Sequence, residues 1–138
     1  QAYLKSMGEL MASNGKATEM EKLILHNEVT RFLRAWKKDW ENKDLDGYIS
    51  HYAQNFRSGS GQNLRAWKAR KAKIFGQAEW IDVSIENLKS ERNNAAVSIY
   101  FHQIYKSDRL QDKGIKKISL EWNGNTWKIL SEDWHALP

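Results

Sequence analysis

The sequence predicts an α+β domain: about three helices packed on a curved, mostly antiparallel sheet. Two observations carry this expectation. Apolar residues recur at helical spacing before residue 79 and alternate with polar residues after it. Asn and Gly also punctuate the second half at hairpin intervals. A chain of 138 residues with 41% hydrophobic and 28% charged residues suits one folded domain with a real core.

The elements follow in order. Tyr3, Leu4, Met7, Leu10 and Met11 have helical spacing, and Asn14-Gly15 suits a helix stop. Residues 1–18 are therefore expected to form an N-terminal helix or linker, with the main domain over 19–138. Val29, Phe32, Leu33, Trp36 and Trp40 fall within an arc of about 100° and predict an amphipathic helix over 24–42, extended by Leu25. Asp44 is placed to cap a second, short helix on which Leu45, Tyr48, Ile49 and Tyr52 share a face, with Phe56 just beyond. A third helix fits 63–75, where Leu64, Trp67, Ile74 and Phe75 form the apolar arc. Lys71 falls in the middle of that arc and breaks the pattern.

Period-two alternation then marks the strands. Ile81, Val83 and Ile85 form one row; Val97, Ile99, Phe101, Gln103 and Tyr105 form the next, with Ser98, Tyr100 and His102 on its other face. Ile118, Leu120 and Trp122 follow, then Trp127 and Ile129. Turns are expected at Asn93-Asn94, at Asp112-Lys113-Gly114 and at Asn123-Gly124.

Composition excludes several chemistries. Without Cys there is no disulfide, thiolate metal site or cysteine nucleophile. His26, His51, His102 and His135 are scattered with no paired spacing, so neither a metal nor a cofactor is expected. No apolar run approaches the length of a membrane span. A net charge of +5 suits an acidic partner. Cations on the 63–75 helix point in several directions, which argues against nucleic acid. The chain begins with Gln rather than Met, as expected of a processed or excised product whose targeting information has been lost.

Trp36, Trp40, Asp44, Tyr48, Tyr52 and Phe56 follow the spacing W-x3-W-x3-D-x3-Y-x3-Y-x3-F. This pattern resembles the nuclear transport factor 2-like (SnoaL-like) superfamily over about residues 20–135. Trp67 followed by Arg70, then "FHQIYKS", "KKISL" and "WKILSEDW", is similar to the C-terminal accessory domain of bacterial L,D-transpeptidase-like peptidoglycan carboxypeptidases. The resemblance implies a cone-shaped fold with a cavity between sheet and helices. It also implies a bacterial periplasmic or cell-envelope location and a role in positioning a cell-wall enzyme.

Candidate ligand-binding residues follow from the residues and the resemblance together. Gln103 interrupts an apolar row, so it either orients a ligand or is a structural amide. Lys71 and Arg70 would place cations at the cavity for a carboxylate-bearing ligand, although Lys71 could instead snorkel with its stem on Trp67. Trp40, Tyr52 and Trp67 offer aromatic faces suited to sugars and peptides, or simply build core. Tyr105, Lys116 and Glu132 match the family's strand pattern; Glu132 could equally pair with Lys116 or Arg70. These residues favour a non-catalytic module that binds a peptidoglycan fragment, sugar or stem peptide, or another small acidic ligand. Two alternatives remain open. A one-residue register shift would bring His102 and Tyr100 inside, as an isomerase- or dehydratase-like enzyme requires. A homodimeric adaptor pairing through the sheet would be favoured by exposed Trp122 or Trp134.

Overall fold

The computed structural model describes residues 6–8 and 18–138. Within residues 18–138, three helices pack on a five-stranded mixed sheet of order β1-β5-β4-β3-β2. No helix among the described residues is long and apolar enough to cross a membrane.

Helix α1 (Glu19–Glu41) opens with a capping box: Thr18 accepts from the Glu21 amide while the Glu21 carboxylate accepts from the Thr18 amide. It buries Leu25, Val29, Leu33, Trp36 and Trp40, the stripe that the sequence predicts. Phe32 lies at the edge of that stripe, half-buried and edge-on to the His51 ring. Lys43, in the left-handed region at φ 55°, ends the run. Asp44 then caps α2 (Leu45–Ile49) by accepting from the Gly47 amide at 3.0 Å.

Tyr52 does not continue that helix. It opens β1 (Tyr52–Ser58), which pairs parallel with β5 (Trp127–Ala136) at the sheet edge. The spacing Tyr48-x3-Tyr52-x3-Phe56 is ambiguous for a physical reason: four residues bring side chains to one face of a helix and equally to one face of a strand. Asn63 caps α3 (Leu64–Gln77), which buries Trp67, Lys71 and Phe75 on one face.

Three antiparallel pairings complete the sheet, through β2 (Ile81–Asn93), β3 (Ala96–Ser107) and β4 (Gln111–Trp122). The hairpin turns at Asn94 and Gly124 use positive φ, as expected of those residues. The β3–β4 turn instead falls at residues 108–110, and Asp112 and Gly114 lie within the ladder opposite Tyr105 and Gln103. Gly114 is a packing glycine rather than a turn glycine. A Cβ there would stand 2.5 Å from the His135 carbonyl oxygen and 2.7 Å from the Trp134 ring.

The inner sheet face is graded along its length. Val97, Ile99, Phe101, Ile118, Leu120 and Ile129 meet α1 in a closed apolar half, each at most 1% exposed. Gln103, Lys116 and Glu132 face inward at the other half and are also buried. That polar half is where the cone opens.

At the closed end a short segment is strapped down. Met7 and Gly8 are helical, and Met7 joins the core. Glu28 accepts from the amides of Met7 (2.7 Å) and Gly8 (3.3 Å) and from Trp127 Nε1 (3.0 Å). The rest of the helix expected over 2–13 lies outside the described residues. Trp122 is half-buried, with Gly8 so close that a Cβ would stand 2.2 Å from its ring. Gly8→Ala should therefore lower stability by about 1–3 kcal/mol through overpacking. Glu28→Ala should cost a similar ~1–3 kcal/mol by orphaning two donors, Met7 N and Trp127 Nε1, while the Gly8 amide keeps Ser6 Oγ at 3.1 Å. Urea denaturation followed by Trp fluorescence measures both, and an unchanged midpoint for either variant would mean that the strap is not seated in solution.

Candidate functional site

The open half of the cone encloses a cavity of about 390 Å³, within the range of small-ligand sites. Helix α1 contributes Trp40, and α3 contributes Trp67, Arg70, Lys71 and Ile74. The sheet contributes Gln103 and Tyr105 from β3, Asp112 and Lys116 from β4, and Glu132, Asp133 and Trp134 from β5. The Ser58–Ser60 loop and Leu110 close the rim.

A hydrogen-bonded ion pair forms the floor. Lys116 Nζ lies 2.5 Å from Glu132 Oε2, and the two side chains are 5% and 1% exposed. Tyr52 donates to Glu132 Oε1 at 2.7 Å and accepts from Trp36 Nε1 at 3.2 Å. Because the Tyr52 proton is committed to Glu132, the 2.8 Å contact with Tyr48 is made by the Tyr48 proton. Burial, and secondarily the Glu132 charge, push both phenols well above their ordinary range, so both remain neutral donors. Aromatic faces box the cation: Lys116 Nζ lies 5.6 Å from the Trp40 and Trp134 ring centroids and 5.9 Å from that of Trp36.

Lys71 forms the roof and lacks such a partner. Its Nζ lies 4.8 Å from the Trp67 ring centroid, 5.0 Å from Trp40 and 5.8 Å from Tyr48. The amine thus stays among the rings rather than snorkelling past them. No carboxylate among the described residues lies within ion-pair distance of it, because Glu132 is engaged by Lys116 and Tyr52. Burial first and the Lys116 charge second lower its pKa to about 7, against the opposing pull of Glu132. Three further wall residues carry buried polar atoms with no hydrogen-bond partner among the described residues, the acceptor Gln103 Oε1 and the donors Trp40 Nε1 and Trp67 Nε1.

Eight of the nine sequence-predicted residues line this one cavity: Trp40, Trp67, Arg70, Lys71, Gln103, Tyr105, Lys116 and Glu132. Tyr52 does not; it stands behind Glu132 and holds that carboxylate in place. Of the two partners considered for Glu132, the structure selects Lys116 over Arg70. Sequence reasoning missed Asp112, Asp133 and Trp134. Parity contained the signal for two of them, since Asp112 shares a strand face with Lys116, and Trp134 with Glu132. His102 lies on the outer face of β3 beside Asn87, so the register shift that would bring it inside does not occur.

Comparison with known proteins places this geometry. A search of curated proteins returns no match. Among solved structures, the chain is similar to Bd1075 of Bdellovibrio bacteriovorus, with 25% identity and a TM-score of 0.79 over 88% of this chain and 44% of that one. It is also similar to the helical cell shape determining protein Pgp2 of Campylobacter jejuni, with 20% identity and a TM-score of 0.69 over 83% and 41%. An NTF2-like protein of Pseudomonas putida matches with 14% identity and a TM-score of 0.70 over 80% and 85%. The chain therefore spans less than half the length of the first two. Residues 28–133 match the model of the Cds6 C-terminal NTF2-like domain, and the chain belongs to that family.

Proposed function

We propose that this domain binds a carboxylate-bearing peptidoglycan fragment, a stem peptide rather than a bare sugar, in the open half of the cone. In doing so it would position a cell-wall enzyme in the bacterial periplasm or envelope. The observation that carries this reading is Lys71, a buried amine in an aromatic cavity with no carboxylate partner among the described residues. A buried cation without a counter-ion is unfavourable, and a ligand carboxylate relieves it while the indole faces pack against the ligand's apolar parts. Arg70 adds a second cation on the same helix. The cell-shape role named for Pgp2 supports the cell-wall setting, and the +5 charge suits an acidic envelope.

Titrating muropeptides and free stem peptides into the labelled domain tests this. Saturable chemical-shift changes should centre on Trp40, Trp67 and Gln103 and vanish in Lys71→Met. Absence of any shift at millimolar ligand would remove the reading.

Binding should also depend on pH with a definite sign. A bound carboxylate favours the charged amine, so the complex takes up a proton wherever the free amine is neutral. Affinity should be flat just below pH 7 and fall about tenfold per pH unit above it. Arg70, Lys116, Glu132, Tyr48, Tyr105, Asp112 and Asp133 are the other titratable groups around the amine. An affinity unchanged between pH 6 and pH 9 would contradict the assignment.

The empty site should carry a stability penalty. The pKa of Lys71 is about 7 folded and 10.5 as a free side chain, so its penalty is complete below pH 7 and fades as pH rises to 10.5. Lys71→Met should raise stability near pH 6 by about 0.5–2 kcal/mol while abolishing binding. Calorimetric melting of both proteins at pH 6 and pH 9 should show the gain shrinking at the higher pH. A less stable variant would show that the amine's burial is already compensated.

A further inference from the structure

The charges around the cavity are segregated, and the segregation specifies more than a carboxylate. Arg70 and Lys71 stand on the α3 wall, whereas Asp112 and Asp133 stand across the mouth on β4 and β5. The deep carboxylate, Glu132, is engaged by Lys116 and Tyr52. Of the mouth carboxylates, Asp112 makes no ion pair among the described residues, whereas Asp133 accepts from the Trp134 amide at 3.1 Å and pairs with the exposed His135 at 3.4 Å. Between the two walls sits the Gln103 amide, 3% exposed, its Oε1 an acceptor without a donor among the described residues.

The β3–β4 register orders these groups along the cavity. Gln103 faces Gly114, midway between Lys116, which is 4% exposed, and Asp112, which is exposed. Lys116 and Asp112 lie four residues apart on one strand, roughly 13 Å. From depth to mouth the wall therefore offers cation, neutral acceptor and anion, with Trp40 and Trp67 alongside.

We infer that the cavity recognises a zwitterionic ligand, with a carboxylate held at Lys71 and Arg70 and a free amine held at Asp112 and Asp133. Gln103 accepts an N–H from the segment joining them. This deepens the proposed function and rests on it. The cations stand on the α3 wall and the carboxylates across the mouth on β4 and β5, so the two ligand charges must be carried on well-separated atoms of a ligand that crosses the cavity. A free α-amino acid, with both groups on one carbon, is too short. A short peptide that ends in a free carboxylate and carries an amine on the preceding side chain has the required span. The aliphatic stem of that side chain would pack on the indoles.

Three synthetic peptides separate the parts. Nα-acetyl-L-lysyl-D-alanine carries both charges, its Nε-acetyl derivative lacks the amine, and its C-terminal amide lacks the carboxylate. Affinity is read by Trp fluorescence and calorimetry at pH 6.5 and low salt. Loss of the amine should weaken binding about fivefold or more, as expected for a partly exposed ion pair. The Asp112→Asn, Asp133→Asn double variant should bind the parent peptide with that same deficit and no longer distinguish it from the Nε-acetyl derivative. Both carboxylates are on the rim, so the variant should keep the wild-type melting temperature. Equal affinity of the wild type for the parent and Nε-acetyl peptides, both tighter than the amide, would overturn the amine site while leaving the carboxylate pocket standing. Failure of all three to bind at millimolar concentration would overturn the zwitterion reading; if muropeptides still shift Trp67 and Gln103, the proposed function would survive without it.

Discussion

The buried pair of Lys116 and Glu132 is the constraint around which the open half of the cone is arranged. Two charges this deep would each be strongly disfavoured alone, and their attraction offsets the desolvation only if every remaining valence is met. Glu132 meets this condition through Tyr52, which is held by Trp36 and Tyr48 in turn. One ion pair thus ties β4 and β5 to β1, α1 and α2. It also explains why aromatic residues crowd this half. Tyr and Trp can contact charges with their faces or polar edges while packing as hydrophobes, which Leu or Ile cannot do.

The same pair determines what Lys71 can do. Glu132 is the nearest deep carboxylate, and its oxygens are already engaged. Lys71 therefore faces a second cation across the rings, and burial pushes its pKa to about 7. A hydrophobic residue at this position would fill the space between Trp40 and Trp67 at less energetic cost. On the proposed reading the counter-ion of Lys71 arrives from outside, and the unpartnered atoms of Gln103, Trp40 and Trp67 fit the same logic. Local rules of burial are broken at these four wall residues, and such departures are expected where a site rather than a core is being built.

How much of this was legible in the sequence depended on whether one periodicity could be told from another. Lys71 stood out because α3 is long enough for its apolar arc to be counted, and Gln103 because alternation along β3 is strict. The short β1 was hidden because Tyr48, Tyr52 and Phe56 satisfy helix and strand at once. Asp112-Lys113-Gly114 had turn composition, yet Gly114 is there for the close approach of Trp134 and the β5 backbone. That contact is visible only once β4 and β5 are paired, and misplacing the turn concealed Asp112 as a wall residue. The partnership of Glu132 with Tyr52 crosses 80 positions of chain, and no local pattern encodes it.

The two ends of the sheet are specialised differently, and the separation has a consequence for ligand access. The strap of Met7 and Gly8 is held by Glu28 beside Trp122 and Trp127, which pair with each other at the closed end. Gly114, beside the cavity, lies eight residues back along β4 from Trp122, roughly 26 Å away at the usual rise of a strand. Residues 6–8 are thus fixed at the end remote from the mouth. Ser58–Ser60, Leu110 and Asp133 at the rim are left clear of them. A charged mouth that lies clear of the strap can admit a ligand without rearrangement of the apolar core. The well-packed apolar half supplies the rigidity that a binding site with unpaired buried groups requires.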